Sequence, residues 1–219
     1  MDESQIHVID FEGSRQSGIL EFGLVTLRGP LITGVQTRLC APEGTIADHE
    51  RAQHGISEAV LEGELPFRNE WLRFAHLRET GVLCAHNASV EDGLLRSVWA
   101  TPRVSPDFTG EGRPSATWGP WLDTLYLYRS IYPGLESYNL SALVEVFGLV
   151  EALDMQAAVY CPPNRNRYHC ALYDTLASAL LLRRLYEEPQ LAGLSLPWLL
   201  QHSAASSADR DALGQQELF

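Results

Sequence analysis

The stretch Ile9-Asp10-Phe11-Glu12-Gly13 lies near the start of the chain, inside an apolar run that predicts a β-strand. Residues two apart on a strand project to the same face, so Asp10 and Glu12 should stand side by side. Two carboxylates that close repel each other, and burying them without compensation would be costly. A divalent cation held by oxygen ligands would supply the missing positive charge. The alternative is a solvated strand face that happens to carry two acids.

The composition is that of an ordinary globular protein, with 219 residues of which 45% are hydrophobic, enough for one sizeable core. No stretch approaches the roughly 20 apolar residues that a membrane helix needs. The N-terminal segment MDESQ lacks the apolar centre of a signal peptide. We therefore expect a cytoplasmic protein without membrane association.

The four cysteines have no CxxC spacing and predict reduced thiols: Cys40, Cys84, Cys161 and Cys170. A zinc site built from Cys161, His169 and Cys170 is the alternative, although the spacing fits no common pattern. The formal net charge is −12, and all 16 basic residues are arginines. This acidity argues against broad, non-specific binding to duplex nucleic acid. It leaves room for an enzyme that holds a few nucleotides through metal ions.

The order of predicted elements indicates an α/β fold. Apolar runs at residues 6–13, 19–27 and 32–39 are separated by short turns and predict an antiparallel meander. Further strands and helices then alternate, with strand-like runs at 81–86 and from 121, and helical patterns at 66–80, 87–99, 141–147 and 169–186. We therefore expect a mixed sheet flanked by helices. We place this domain at residues 1–190, followed by a C-terminal extension, 191–219, with a flexible tail.

The late helix carries a second pair of polar residues, His169 and Asp174. Five residues of a regular helix turn the chain through about 500°, which leaves the two side chains some 140° apart. The two can converge on one site only if His169 lies before the helix or in a distorted first turn. The prolines and asparagines just before His169 favour such an irregular start.

Together these residues resemble the DEDDh family of 3′–5′ exonucleases, a branch of the ribonuclease H-like superfamily. The first motif is Asp10-Phe11-Glu12, the second is the run His86-Asn87-Ala88-Ser89-Val90-Glu91, and the third is His169 with Asp174. The element His54-Gly55-Ile56 also matches the family. The resemblance covers residues 5 to about 187 and implies a ribonuclease H-like mixed sheet of five strands, the first three an antiparallel meander, with flanking helices.

The resemblance also implies the chemistry. Four carboxylates would hold two Mg²⁺ or Mn²⁺ ions about 4 Å apart, namely those of Asp10, Glu12, Glu91 and Asp174. His169 would take a proton from the attacking water as general base, a role suited to its near-neutral ordinary pKa. The reaction would release nucleoside 5′-monophosphates from the 3′ end of single-stranded nucleic acid. DNA is the favoured substrate if the C-terminal tail binds a sliding clamp, although no residue in the sequence distinguishes DNA from RNA.

Seven further residues are candidates for contact with the nucleotide: Phe11, Gly13, Ser14, His54, Asn87, Arg165 and Arg167. The backbone from Phe11 to Ser14 would lie along the terminal nucleotide. For Phe11 the alternative is a core position, and for Asn87 it is a role in bracing the following helix. For Arg165 and Arg167 the alternative to a phosphate contact is a solvated loop.

The chain departs from the family at Glu91, where an aspartate is usual, and Asp92 follows immediately. Glutamate is one methylene longer, so its carboxylate reaches the ions only if the helix sits slightly farther back. Asp92 projects about 100° around the helix from Glu91. We predict that Glu91 completes the site, because Asn87 fixes the register of the motif.

The last five residues, Gln215-Gln216-Glu217-Leu218-Phe219, resemble the bacterial sliding-clamp-binding pentapeptide. Gln215, Leu218 and Phe219 would bind the clamp, while Gln216 departs from the usual leucine. An idle tail is the alternative. Two rival functions stay open at this stage: an RNA-trimming exoribonuclease of the same family, and a catalytically weak clamp-binding module.

Overall fold

The structure is a computed structural model that describes residues 5–109, 113–191 and 193–204. Within this part of the chain the strands are β1 (Gln5–Ser14), β2 (Gly18–Arg28), β3 (Leu31–Leu39), β4 (Gly81–Ala85) and β5 (Trp121–Asp123). The first four helices are α1 (Asp48–His54), α2 (Trp71–Thr80), α3 (Ser89–Val98) and α4 (Thr124–Ile131). The later ones are α5 (Leu140–Val146), α6 (Val150–Tyr160), α7 (Ala171–Glu187) and α8 (Leu196–His202). Short 3-10 turns occupy Glu58–Leu61 and Phe67–Glu70.

The sheet confirms the predicted architecture. Its strand order is β3-β2-β1-β4-β5, with β1, β2 and β3 antiparallel and with β4 and β5 parallel to β1. Strand β4 pairs with β1 only as far as Val8. Asp10 and Glu12 therefore lie beyond the pairing with β4, at the carboxyl end of β1. This is the edge of the sheet from which the chain leaves β4 for α3.

Alternate residues of β1 enter two different cores. Ile6 and Val8 pack in the core that includes α7, whereas Ile9 and Phe11 pack in an aromatic-rich core with residues of α2 and α3. Because side chains alternate along a strand, Asp10 and Glu12 share the side of the sheet that α7 covers. The period-2 pattern thus turns both acids toward the helix that carries Asp174.

A glycine lets α7 approach the sheet closely at this point. Gly23 on β2 is the antiparallel partner of Asp10. A Cβ atom at Gly23 would lie 2.3 Å from the carbonyl oxygen of Ala171 and 2.4 Å from Oγ1 of Thr175. Any side chain there would push the start of α7 outward. The absence of a side chain at Gly23 therefore brings the first turn of α7 against the strand pair that bears Asp10.

Several helices differ from the sequence predictions. Helices α1 and α6 were not anticipated, and the helix expected from residue 169 begins at Ala171. Helix α1 has only seven residues, and α6 exposes Val159 and Met155, so neither shows a clear apolar stripe. None of the helices among the described residues combines the length and apolar character that a membrane span requires.

Helix α8 lies beyond the predicted domain boundary at residue 190. Its Leu196, Leu199 and Leu200 are buried in the same core as α7. The chain on the far side of that boundary therefore contributes to the main core. The predicted flexible tail and its terminal pentapeptide fall almost entirely on residues 205–219, which lie outside the described residues.

Candidate active site

Four carboxylates from three elements are placed around the carboxyl end of β1. Asp10 and Glu12 come from β1, Glu91 from the first turn of α3, and Asp174 from the first turn of α7. Glu12, Glu91 and Asp174 are only 7%, 4% and 8% exposed, and Asp10 is half-buried. This arrangement places up to four negative charges close together at the carboxyl end of β1.

The electrostatics of these acids indicate a missing positive charge. Burial, followed by repulsion from Asp174 and Glu91, raises the pKa of Asp10 well above its ordinary value. Burial is also the main cause that raises the pKa of Glu12 and of Glu91 to about 8 and that of Asp174 to about 7. Without a counter-charge the four groups cannot all ionise near neutral pH.

Two buried oxygen atoms point to what would supply the charge. Oε2 of Glu91 and Oδ1 of Asp174 find no hydrogen-bond partner within the described part of the chain. Buried polar atoms are normally satisfied, so such orphans mark a site for an ion or a ligand. Carboxylate oxygens are the donors that hard divalent cations such as Mg²⁺ and Mn²⁺ prefer. The residues present therefore fit divalent cations.

His169 lies before α7, as the helix geometry requires. Its backbone is in the left-handed region with φ 62°, and its N–H donates to Oδ2 of Asp174 at 2.9 Å. The imidazole is exposed. One ring nitrogen of His169 and one carboxylate oxygen each of Glu12 and Asp174 lie within 4.8 Å of one another. The predicted convergence of His169 with Asp174 is thus confirmed by the fold, with the imidazole at the solvent side of the acids.

Glu91 and Asp92 point to different surroundings. Oδ1 of Asp92 accepts a hydrogen bond from Nε1 of Trp121 at 2.9 Å, and Oδ2 pairs with Nε of Arg96 at 2.7 Å. Glu91 is instead close enough to Glu12 and Asp123 for their charges to raise its pKa. The geometry therefore favours the prediction that Glu91, and not Asp92, serves the site.

Paired substitutions test this prediction. If the four carboxylates hold the metal, Glu91→Gln should lower nuclease activity by about a hundredfold, because it removes one of the four charges. Asp92→Asn, the matched control one residue away, should change activity less than about threefold, since only its contacts with Trp121 and Arg96 weaken. Rates on a labelled oligonucleotide would decide between them, and the reverse ranking would contradict the assignment.

Asp123 positions the turn that precedes Glu91, a role that was not predicted from the sequence. It caps α4 by accepting the backbone N–H of Leu125 at 2.9 Å, and it also accepts those of Asn87 and Ala88 at 3.1 and 2.8 Å. One carboxylate thereby joins the start of α4 to the turn that leads to Glu91. An Asp-Thr pair after an apolar run is a helix N-terminus signal, and that signal was available in the sequence.

Asn87 is engaged locally. Its φ of 67° shapes the turn before α3, and its side-chain Oδ1 accepts a hydrogen bond from Oγ of Ser89 at 3.2 Å. These contacts favour the bracing role over the predicted contact with the nucleotide. Direct binding of substrate by Asn87 stays a prediction.

Arg165 ties three parts of the site together from within. Its Nε donates to Oε1 of the buried Glu21 at 3.1 Å, and its Nη2 pairs with Oε2 of the same carboxylate. Its Nη1 donates to the carbonyl oxygen of His54 at 2.5 Å, while Glu21 also accepts the N–H of Ala171 at 3.0 Å. The guanidinium is held by internal partners, which favours a positioning role, and its predicted contact with phosphate stays a prediction.

The remaining candidates divide into buried and exposed residues. The ring of Phe11 lies in the aromatic core, 5.3 Å from that of Phe67, which favours the core role, and its contact with sugar or base stays a prediction. Gly13, at φ 122°, and Ser14 form the bulged end of β1, so the backbone there stays a candidate for nucleotide contact. Arg167 is exposed and remains a candidate for phosphate.

His54 is 2% exposed, and its Nδ1 accepts the N–H of Ile56 at 3.0 Å. Its Nε2 has no hydrogen-bond partner among the described residues. Because the ring is buried, this nitrogen is not open to solvent, and the predicted substrate contact of His54 stays a prediction. The cysteines form no disulfide, and no metal-binding cluster among the described residues includes Cys161 or Cys170.

Comparison with known proteins places this site in a family. The family model described as Exonuclease matches residues 8–182, a span that includes all four carboxylates and His169. The chain belongs to the Exonuclease family. The resemblance inferred from the sequence motifs is thereby confirmed, and the family match covers most of the exonuclease domain predicted from the sequence.

Two curated members and one solved structure show how this exonuclease compares. It is 23% identical over 185 residues to DNA polymerase III subunit epsilon of Aquifex aeolicus, covering 83% of this chain and 80% of that protein. It is 29% identical over 178 residues to exodeoxyribonuclease 10 of Escherichia coli strain K12, covering 81% of this chain but 66% of the relative. The structure of Exonuclease X in complex with 5′ overhanging duplex DNA superposes with a TM-score of 0.65 at 24% identity, covering 91% and 99% of the two chains. This similarity confirms the fold.

Proposed function

We propose that the protein is a DEDDh-type 3′–5′ exonuclease that removes nucleotides from the 3′ end of single-stranded DNA in the cytoplasm and releases nucleoside 5′-monophosphates. The observation that carries the proposal is the group of Glu12, Asp174 and the exposed His169, with Asp10 and Glu91 close enough to interact electrostatically with these acids. Histidine next to an acidic metal-binding cluster is suited to phosphodiester hydrolysis, because it can take up the proton of the attacking water.

Each residue of the cluster has a defined task in this proposal. Asp10, Glu12, Glu91 and Asp174 would hold two Mg²⁺ or Mn²⁺ ions. When bound, the ions would lower the pKa of a water and balance the charge that develops on the leaving 3′ oxygen. His169 would accept the proton at an imidazole nitrogen. Its exposed position leaves it free to pass that proton on to bulk solvent.

DNA is favoured as substrate by the names of the relatives, which are a DNA polymerase subunit and an exodeoxyribonuclease. The acidic surface favours a substrate held at its end over one gripped along a duplex, because the net charge is −12. RNA trimming by the same site is the alternative function. The intact cluster with His169 argues against a binding module without catalysis.

The decisive experiment incubates purified protein with Mn²⁺ and matched single-stranded DNA and RNA oligonucleotides labelled at the 5′ end. We expect a ladder of shortened products on DNA, because the 5′ label survives removal of 3′ nucleotides, and slower shortening of RNA. Chromatography should identify 5′-monophosphates. If neither nucleic acid is shortened, the enzyme proposal is wrong; if RNA is cut faster, the RNA-trimming alternative holds.

We also propose a sliding clamp as partner through Gln215, Leu218 and Phe219. Support comes from the sequence pattern and from the similarity to a DNA polymerase III subunit. A tether ending in two apolar anchors would raise the local concentration of enzyme at DNA. Deleting residues 215–219 should abolish binding to a purified bacterial clamp while leaving hydrolysis of free oligonucleotides unchanged. Clamp binding by the truncated protein would contradict this assignment.

A further inference from the structure

Gln53 contacts the imidazole that the proposed reaction depends on. Its side-chain nitrogen lies 3.1 Å from Nδ1 of His169, across 116 positions of sequence. The backbone of His169 is held by Asp174, but its ring is exposed to solvent. We infer that Gln53 is a positioning residue that orients the ring of His169 and determines which of its two ring nitrogens carries the hydrogen. The inference rests on the proposed function and assigns a further residue to it.

The backbone of Gln53 is fixed relative to the loop that carries His169. The carbonyl oxygen of Gln53 accepts a hydrogen bond from Nη1 of Arg167 at 3.4 Å, and that of His54 accepts one from Arg165 at 2.5 Å. The helix ends at Gly55, where a Cβ atom would lie 2.8 Å from Nη2 of Arg167. The end of α1 and the histidine loop therefore pack as one unit, which gives the side chain of Gln53 a defined place to reach from.

The other end of α1 is anchored as well. Oε2 of Glu50 accepts the N–H of Ala47 at 2.9 Å and so caps the first turn. Its Oε1 accepts a hydrogen bond from Oγ of Ser17, in the turn between β1 and β2, at 3.5 Å. Helix α1 is thus tied both to the strand turn beside the acids and to the loop that bears His169. A residue on this helix can hold a ring in place, which a solvated loop residue could not do as well.

In the structure the amide nitrogen of Gln53 faces Nδ1 of His169, and turning the amide through 180° would present Oε1 to the same atom. If Oε1 accepts a hydrogen bond from Nδ1–H, the lone pair of Nε2 is free to take a proton. If the amide N–H donates to Nδ1, the lone pair of Nδ1 is occupied by this hydrogen bond. The ring hydrogen then lies on Nε2, which cannot take up a proton. Proton uptake at Nε2 therefore requires the first arrangement, and the partner of Nδ1 decides whether it forms.

Two substitutions separate orientation from general packing. Gln53→Met keeps the length of the side chain and removes its hydrogen-bonding atoms, so we expect kcat to fall about tenfold with KM and Mn²⁺ affinity unchanged. Gln53→Glu should retain most of kcat, because a carboxylate oxygen also accepts from Nδ1–H. Gln36→Met, on the exposed side of β3, is the control and should match the wild type.

A spectroscopic measurement tests the contact without relying on activity. We expect the ¹⁵N shifts of the His169 ring, assigned by comparison with His169→Gln, to report one dominant neutral tautomer in the wild type and a mixture in Gln53→Met. Unchanged ring shifts, an unchanged kcat, or an effect confined to KM would each overturn the inference. If the wild type cuts no oligonucleotide, the proposed function fails, and the ring shifts alone decide the role of Gln53.

Discussion

Asp174→Asn is expected to lower the rate of 3′ shortening by about a thousandfold, equivalent to about 4 kcal/mol of transition-state stabilisation. The substitution removes one negative charge from the cluster and changes little else. Asparagine keeps a carbonyl oxygen where Oδ2 accepts the N–H of His169, so the irregular start of α7 should persist. The loss would therefore report on metal binding, and not on the fold of the histidine loop. Rates at saturating Mn²⁺ on a single-stranded DNA oligonucleotide measure it.

The same variant should be more stable than the wild type when metal is removed. Asp174 is buried, and its charge raises the pKa of both Asp10 and Glu12. Neutralising it removes part of that repulsion, so the melting temperature in EDTA should rise while activity falls. Asp154→Asn, an exposed change on α6, is the control and should alter neither quantity. Full activity in Asp174→Asn would show that hydrolysis does not depend on this carboxylate cluster.

Much of this fold and site could be predicted because the information is local. Alternation along residues 6–13 predicted a strand with Asp10 and Glu12 on one face, and short turns predicted the meander. Helix geometry alone required His169 to lie outside a regular helix, and the left-handed backbone at that residue meets the requirement. These conclusions need only the periodicity of a few neighbouring residues.

The parts that could not be predicted depend on contacts between distant residues. Arg165 was a candidate for a phosphate contact or for a solvated loop, and neither alternative predicted its pairing with Glu21, which lies 144 positions away. A buried carboxylate needs such a partner, yet no local pattern names it. Gln53 reaches His169 across a similar distance. Local patterns identified the catalytic candidates, whereas the residues that hold them in place appear only once the chain is folded.

The metal-free protein should lose stability as the pH rises from about 6.5 to about 8.5. Glu12 and Glu91 have pKa values of about 8 and Asp174 of about 7 in the folded state, while in the unfolded chain all three ionise near pH 4. In this window the folded state binds more protons than the unfolded state, so the free energy of unfolding falls as pH rises. Allowing for coupling between the three groups, we expect the free energy of unfolding to fall by about 3 kcal/mol between pH 6.5 and pH 8.5.

Two histidines, His7 and His86, oppose the effect of the acids below that window. Burial lowers the pKa of His7 and of His86 to about 4, so each stabilises the fold increasingly as pH rises from about 4 to about 6.5. Above that range they are neutral in both states and contribute no slope. The decline above pH 6.5 should therefore come mainly from the acidic cluster. Below pH 6.5 the two histidines offset most, but not all, of the loss caused by the three acids, so the decline in stability should be shallow there and steeper above pH 6.5.

Divalent metal should reverse this loss of stability at high pH, because cations bind the ionised carboxylates. At high pH the carboxylates are already ionised, so the cations do not have to displace protons from them. Added Mg²⁺ or Mn²⁺ should raise the melting temperature far more at pH 8.5 than at pH 6.5. Thermal unfolding at the two pH values, in EDTA and in added metal, measures the difference. Glu91→Gln should reduce both the fall in stability with pH and the rise in melting temperature on adding metal. A metal-free stability that rises through this window, with no response to metal, would mean that these four acids do not form one cation site.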